Sequence, residues 1–193
     1  MIDGTAMKLA EEFHPLVTYS QSDEISLVFF APEERSQLPF DGKMVKLTSV
    51  LASAATMYFN MNPDISFLGP QQFDCRFFSV PDLSEATNYI LWRMRDCSRN
   101  SILSVAQYYL SHKKMQGKKC SELLDILFAE KQVIWGYDFS IREQRGSLIL
   151  PIKRKCNNVY GEYERNDMVF IKPTPNLEEL SHAERIATLF PEV

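Results

Sequence analysis

The stretch PLVTYSQSDEISLVFF, residues 15–30, organises the rest of the chain. Its two apolar runs, residues 15–19 and 25–30, are rich in β-branched and aromatic side chains, and polar turn formers separate them. This pattern predicts two adjacent strands of a β-hairpin with Asp23 at the tip. Neighbouring side chains on a strand point to opposite faces, so Asp23 and Glu24 are not expected to bind one ion together.

Two interpretations of the hairpin tip are open at this point. Ser22 and Asp23 fit a solvated turn, because serine and aspartate stabilise turns by hydrogen bonding to their own backbone. Asp23 also fits a metal site at the end of a sheet, provided that a second carboxylate comes from elsewhere in the chain. The sequence downstream of the hairpin bears on this choice.

Composition and cysteine usage limit the class of protein. The chain has 193 residues, of which 45% are hydrophobic and 24% are charged, as expected for a soluble globular domain with a sizeable core. The four cysteines are widely spaced, and no signal peptide or long apolar span is present, which indicates a reducing cytoplasm and no membrane. A net charge of −4 argues against indiscriminate nucleic-acid binding but allows a local basic patch.

Periodicity predicts the elements around the hairpin. Helices are expected at residues 1–13 and 43–60, with a charged loop at residues 32–42 between the hairpin and the second helix. The other expected elements are a strand at residues 73–80, a helix that starts at 81–85 and continues through Met94, a helix at 121–128 capped by Ser121, strands at 147–150 and 168–171, and a peripheral helix at 176–189.

Two polar stretches carry chemistry that the helical pattern does not require. Residues 92–101, WRMRDCSRNS, place Arg99 and Asn100 inside a helical segment. Residues 111–119, SHKKMQGKK, hold four lysines within seven positions, which fits a phosphate-binding segment. A solvated helix end is the alternative, because cations are favourable near a helix C-terminus.

Six short motifs occur in one order along residues 5–150. They are YSQSDEIS at 19–26, FDCR at 73–76, NY with WR at 88–93, DCSRNS at 96–101, SHKKMQGK at 111–118 and RG at 145–146. Together they resemble the tRNA-histidine guanylyltransferase superfamily, and most closely its Thg1-like branch of 3′-to-5′ polymerases, which repair tRNA 5′ ends.

The resemblance implies a fold and an activity. The fold is an α+β, polymerase-palm-like antiparallel sheet backed by helices, with a catalytic domain at residues 1–150 and a C-terminal hairpin and peripheral helix at residues 151–193. The activity is addition of nucleotides to the 5′ end of tRNA by a two-metal mechanism that uses Mg²⁺, with ATP and GTP as substrates. A homo-oligomer, either a dimer or a tetramer, is expected.

The resemblance also assigns roles to individual residues. Asp23 is the expected metal ligand and catalytic carboxylate, and Glu24 is the second catalytic candidate. Nucleotide binding is expected from Ser22, Asp23, Asn100, Lys113, Lys114 and Lys118. Contacts with tRNA are expected from Arg99, His112, Arg145, Lys153 and Arg154.

One family motif has no match in this sequence. In the family an Arg-x-Asp-Gly-Arg-x-Phe turn supplies another metal carboxylate, whereas Asp3-Gly4 lacks the arginines and is interpreted as coincidental. We therefore expect a shortened or degenerate version that cannot hold two Mg²⁺ ions. A catalytically inactive tRNA-binding paralogue is the main alternative function, and a nucleotide-cyclase-like palm is a weaker one.

Overall fold

The computed structural model describes residues 2–31, 38–63 and 69–191. Four strands form one antiparallel sheet in the order β2-β1-β3-β4, with β1 at Val17–Gln21, β2 at Glu24–Val28, β3 at Ser147–Asn158 and β4 at Gly161–Ile171. The helices are α1 (Ile2–Phe13), α2 (Met44–Asn60), α3 (Leu83–Tyr109), α4 (His112–Met115), α5 (Cys120–Lys131), α6 (Trp135–Asp138), α7 (Ile141–Arg145) and α8 (His182–Leu189). The expected α+β class with an antiparallel sheet and packed helices is confirmed.

The first hairpin forms where the sequence predicts it. Gln21 pairs with Glu24, so Ser22 and Asp23 are the two turn residues between β1 and β2. Ser22 has a φ of 45°, the left-handed conformation that tight hairpin turns require. Asp23 therefore lies at the tip of the hairpin, at one end of the sheet.

Helices cover both faces of the sheet, and the side chains of β1 and β3 alternate between them. On one face Tyr19 and Leu148 pack with Ile90 and Met94 of α3. On the other face Ile149 packs with small residues of α1. All five residues of β1 are buried as a result, and the hairpin is clamped between α1 and α3.

The prediction of a strand at residues 73–80 is wrong. Residues 69–80 form neither helix nor strand, although Phe73, Cys75 and Phe77 are packed against the core beside α2. The backbone N–H of Phe73 donates to Thr56 Oγ1 of α2 at 3.0 Å. The alternation that looked like a strand thus reflects an extended segment lying on a helix.

Two other boundaries differ from expectation. Ser121 does not cap its helix, because α5 already begins at Cys120 and the Glu122 carboxylate accepts from the backbone N–H of Lys119 at 2.8 Å. Part of the charged loop, residues 32–37, lies outside the described residues, and Pro39–Gly42 forms a turn in which Phe40 and Asp41 have positive φ values of 56° and 55°. The polar stretch at residues 92–101 continues α3 without a break.

The C-terminal part of the chain is more closely integrated than expected. The strand β3 runs through residue 150 and pairs with both β1 and β4. Leu177, Leu189 and Phe190 are buried in the same cluster as Tyr19, so the last segment packs deeper than a peripheral helix. The division of the chain at residue 150 remains a prediction. Within the described ranges, no helix is both long enough and apolar enough to cross a membrane.

Candidate functional site

A pocket of about 700 Å³ opens between the tip of the first hairpin, α3 and α7. The side chains that α3 contributes recur every three or four residues, so they share one face of the helix. The polar and aromatic lining includes Ser22, Asp23 and Glu24 from the hairpin, Arg93, Asp96, Asn100, Tyr108 and Tyr109 from α3, and Arg142 and Glu143 from α7.

The neighbouring carboxylates at the hairpin tip have different environments. Glu24 lies on the strand face that α3 covers, and its two oxygens accept from Nε and Nη2 of Arg93 at 2.7 and 2.6 Å. Burial would lower the pKa of Arg93, but the bonds to Glu24 and the charge of Asp96 outweigh it and raise that pKa. Glu24 therefore forms an ion pair that connects the hairpin to α3.

Asp23 is exposed in the turn and makes no hydrogen bond or ion pair with any described residue. The pocket's other carboxylates all have partners. Asp96 lies 3.3 Å from Arg93 Nη2 and accepts from Asn100 Nδ2 at 3.2 Å, and Glu143 accepts from the backbone of Ser140 at 2.8 Å. Asp23 is thus the pocket carboxylate that is available to a ligand.

The availability of Asp23 bears on Mg²⁺, which proteins usually bind through one or two carboxylates together with substrate phosphates. Asp23 fits the role of such a single carboxylate. In the described part of the chain, no three His, Cys, Asp or Glu side chains come together as a ready-made metal site. The pocket therefore fits an ion that arrives with a phosphate ligand better than an ion held by the protein alone.

Arg142 lines the pocket, and Asp3 in the first turn of α1 holds its side chain in position. Its Nη2 donates to Asp3 Oδ1 at 3.2 Å, and its Nε donates to Oδ2. The same carboxylate accepts from Ser20 Oγ at 2.8 Å and Ser147 Oγ at 3.0 Å. Burial would raise the pKa of Asp3, but the bonds from Arg142 and the serines outweigh it and hold that pKa below its ordinary value.

The expected site residues divide into two groups. The structure brings Ser22, Asp23, Glu24 and Asn100 together in the pocket. It does not bring the other expected residues into the pocket lining, which are Arg99, His112, Lys113, Lys114, Lys118, Arg145, Lys153 and Arg154.

The basic residues outside the pocket lie on several surfaces. His112, Lys113 and Lys114 are exposed on α4, where Lys114 pairs with Glu130, and Lys118 lies 3.3 Å from Glu122. Arg99 is exposed on α3. Lys153 and Arg154 lie on β3 beyond the core, and Arg154 Nη1 is 3.4 Å from Asp167.

Arg145 and Gly146 link α7 to the hairpin through the backbone. The carbonyl oxygen of Arg145 accepts from the Tyr19 hydroxyl at 2.7 Å. Gly146 has a φ of +73°, and a Cβ there would lie 2.5 Å from the Ser20 carbonyl oxygen and 2.7 Å from the Tyr19 hydroxyl. The Arg-Gly motif therefore allows α7, with Arg142, to approach β1 closely.

Sequence reasoning missed Arg93, Asp96, Arg142 and Tyr108 as pocket residues. The helical spacing of Arg93, Asp96 and Tyr108 from Asn100 is a signal that could have found them, because residues seven, four and eight positions apart lie on the same side of a helix. For Arg142 no local signal exists, because Asp3, its partner, is 139 positions away.

Comparisons with known proteins show which family and which solved structures the chain is similar to. Residues 1–81 match the family model described as Thg1, tRNAHis guanylyltransferase. A bacterial tRNA(His) guanylyltransferase (Thg1)-like protein in complex with ATP superposes with a TM-score of 0.79 and 28% identity, covering 98% of this chain and 77% of that one. A bacterial protein of the same description in complex with GTP gives a TM-score of 0.72 and 27% identity, covering 96% and 74%. No curated protein sequence matches the chain.

Proposed function

Because the chain belongs to the tRNAHis guanylyltransferase superfamily, we propose that it is a nucleotidyltransferase that adds nucleotides to the 5′ end of tRNA in the 3′-to-5′ direction. ATP and GTP are the proposed substrates, and tRNA is the proposed acceptor. The two bacterial proteins that superpose on it are described in complex with ATP and with GTP, which supports nucleotide binding by this chain.

The observation that carries the proposal is the Asp23 carboxylate, which has no partner among the described residues and lies in a pocket that also holds Arg93 and Arg142. A guanidinium group keeps donors beyond those it gives to one carboxylate, and its planar fork matches phosphate. Arg142 keeps Nη1 for a phosphate while Asp3 holds its Nε and Nη2. We assign binding of the triphosphate to Arg142 and to the Asn100 amide.

Asp23 is the proposed ligand of a Mg²⁺ ion that enters with the triphosphate. The ion would supply charge stabilisation for the departing pyrophosphate. The chain's own contribution is to present an exposed carboxylate at a rigid hairpin tip that β1, β2 and the Glu24–Arg93 pair hold in place.

A second candidate function is tRNA binding without nucleotide addition. One observation favours it: apart from Asp23, every carboxylate that lines the pocket already has a partner among the described residues. A reaction that needs two metal ions would then lack a second protein carboxylate.

The test is an addition assay with the purified chain, Mg²⁺, ATP, radiolabelled GTP and a tRNA that lacks its first nucleotide. The proposal expects Mg²⁺-dependent incorporation of label that Asp23→Asn abolishes. Tight tRNA binding without any incorporation would support the second candidate instead. We also propose that the protein forms a dimer or a tetramer, and light scattering of the same sample tests this. The proposed location is the cytoplasm.

A further inference from the structure

Two adjacent tyrosines form the end of the pocket that is remote from the hairpin. Tyr108 and Tyr109 both line the pocket at the C-terminus of α3, with ring centroids 4.8 Å apart and planes inclined at 82°. Tyr108 is 83% exposed, and neither tyrosine hydroxyl has a hydrogen-bond partner in the described ranges. Core packing and polar contacts therefore do not explain why a large aromatic ring stands at this position.

The lining of the pocket changes in character along α3. Arg93, Asp96 and Asn100 lie near the hairpin tip, whereas Val105, Tyr108 and Tyr109 lie at the other end with Phe139. Asn100 and Tyr108 share a helix face and are separated by about 12 Å along the axis at 1.5 Å per residue. A nucleoside triphosphate changes along its length in the same way, with charged phosphates at one end and a flat apolar base at the other.

The tyrosine pair is suited to hold a flat ring. The edge-on contact between Tyr108 and Tyr109 restricts their orientations, because aromatic rings prefer a T-shaped arrangement to a face-to-face one. An exposed and oriented aromatic face is the feature on which nucleic-acid-binding proteins stack bases, and every base offers a matching π-face.

We propose that Tyr108, held edge-on by Tyr109, stacks on the purine base of the nucleoside triphosphate that binds in this pocket. The inference rests on the proposed function, and it deepens that function by naming the residue that binds the base. Because stacking uses the π-face and not the hydrogen-bonding edges, Tyr108 contributes to the affinity for ATP and for GTP to a similar extent.

The test compares ligands with and without a base. The affinities of ATP, GTP and inorganic tripolyphosphate are measured by calorimetry for wild type, Tyr108→Ala, Tyr108→Phe and a control, Tyr137→Ala. Tyr137 is a matched control because this residue is 84% exposed on α6 and does not line the pocket. Thermal unfolding of each variant shows that the fold is retained.

The expected result is that Tyr108→Ala weakens ATP and GTP binding by about tenfold. The same variant leaves tripolyphosphate binding unchanged, and Tyr108→Phe and Tyr137→Ala behave like wild type. Equal nucleotide affinities for wild type and Tyr108→Ala would overturn the stacking inference while leaving the proposed function intact. If wild type bound neither nucleotides nor tripolyphosphate, the proposed function would fail together with the inference.

Discussion

Arg93 on α3 donates from Nη2 to Oε2 of Glu24 at 2.6 Å and from Nε to Oε1 at 2.7 Å. The pair is bidentate, and the Arg93 side chain is only 13% exposed. It joins the residue after the hairpin tip to the middle of the longest helix. The neighbouring carboxylate, that of Asp23, has no partner within residues 2–31, 38–63 and 69–191 and can accept a ligand.

Glu24→Ala should lower the free energy of unfolding by about 2 kcal/mol, because it leaves a largely buried guanidinium without its main partner. Urea denaturation measures the change. Arg95→Ala is the matched control, since Arg95 Nε pairs with Glu178 at 2.7 Å but both side chains are about half exposed, and exposed pairs contribute less than about 1 kcal/mol. Equal losses in the two variants would show that Glu24 does not anchor the hairpin.

Asp23→Asn should reduce the rate of nucleotide addition by well over tenfold while leaving tRNA affinity and stability close to wild type. The carboxylate has no partner in the described part of the chain, so the fold does not depend on its charge. The rate is measured by single-turnover incorporation of label, with Asp125→Asn on the exposed face of α5 as the control. A variant that keeps more than about a tenth of the rate, a barrier change under roughly 1.4 kcal/mol, would exclude the metal role.

Lys113→Ala should flatten the salt dependence of tRNA binding by nearly one unit in the slope of log affinity against log salt, because each phosphate contact releases condensed counterions. Lys114→Ala and Lys118→Ala should change the slope less, since those lysines pair with Glu130 and Glu122. Binding is measured by filter retention at several salt concentrations. Lys8→Ala on α1, which packs on the opposite face of the sheet from α3, is the control. An unchanged slope for Lys113→Ala would indicate that residues 111–119 are a solvated helix end and do not bind phosphate.

Asp3→Asn should lower stability at neutral pH by about 1 kcal/mol, a value discounted because the Arg142 side chain is half exposed. The pKa of Asp3 in the folded protein lies below its ordinary value of 3.8, so its charge stabilises the fold above about pH 4. That contribution disappears as the pH falls through the folded pKa. Urea unfolding of wild type and Asp3→Asn at pH 7 and at pH 2–3 should therefore show a difference that shrinks in acid, and a constant difference would contradict this assignment.

Local signals account for the parts of the fold that the sequence predicts correctly. The hairpin at residues 17–28 follows from two β-rich runs around turn formers, and α2 follows from helical periodicity. The prediction of a strand at residues 73–80 is wrong because alternating burial also arises when an extended segment packs against a helix, as this one packs beside α2. Only the tertiary structure separates these two cases.

The candidate site was predictable to the extent that its residues lie close together in sequence. Ser22, Asp23 and Glu24 sit in one turn, and Asn100 lies in a polar stretch that a helical pattern does not need. The contact of Asp3 with Arg142 joins the first helix to α7, and no local pattern encodes it. The interpretation of Asp3-Gly4 as coincidental rests on the missing arginines of the family motif, and it gives no indication that Asp3 positions an arginine of the pocket.

Gly146→Ala should destabilise the protein by more than about 3 kcal/mol, because two separate costs add. The backbone at Gly146 has a φ of +73°, which an alanine adopts only with strain, and the new Cβ would overlap the Ser20 carbonyl oxygen at 2.5 Å. Relief of that overlap would move α7 away from β1, stretch the 2.7 Å bond from the Tyr19 hydroxyl to the Arg145 carbonyl and displace Arg142 from the pocket. Nucleotide affinity should therefore fall in the variant even at temperatures where it remains folded.

The matched control for that variant is Gly4→Ala, which makes the same chemical change in the first helix. Gly4 lies within α1, and its added Cβ would meet no atom of the described residues within 4 Å, so alanine should stabilise the protein by up to about 1 kcal/mol through its higher helix propensity. Thermal and urea unfolding of both variants measure the change in the free energy of unfolding, which should be a loss for Gly146→Ala and a gain for Gly4→Ala. Similar small effects in the two variants would show that the close approach of Gly146 to β1 is not required, and the geometry that brings Arg142 to the pocket would then need another explanation.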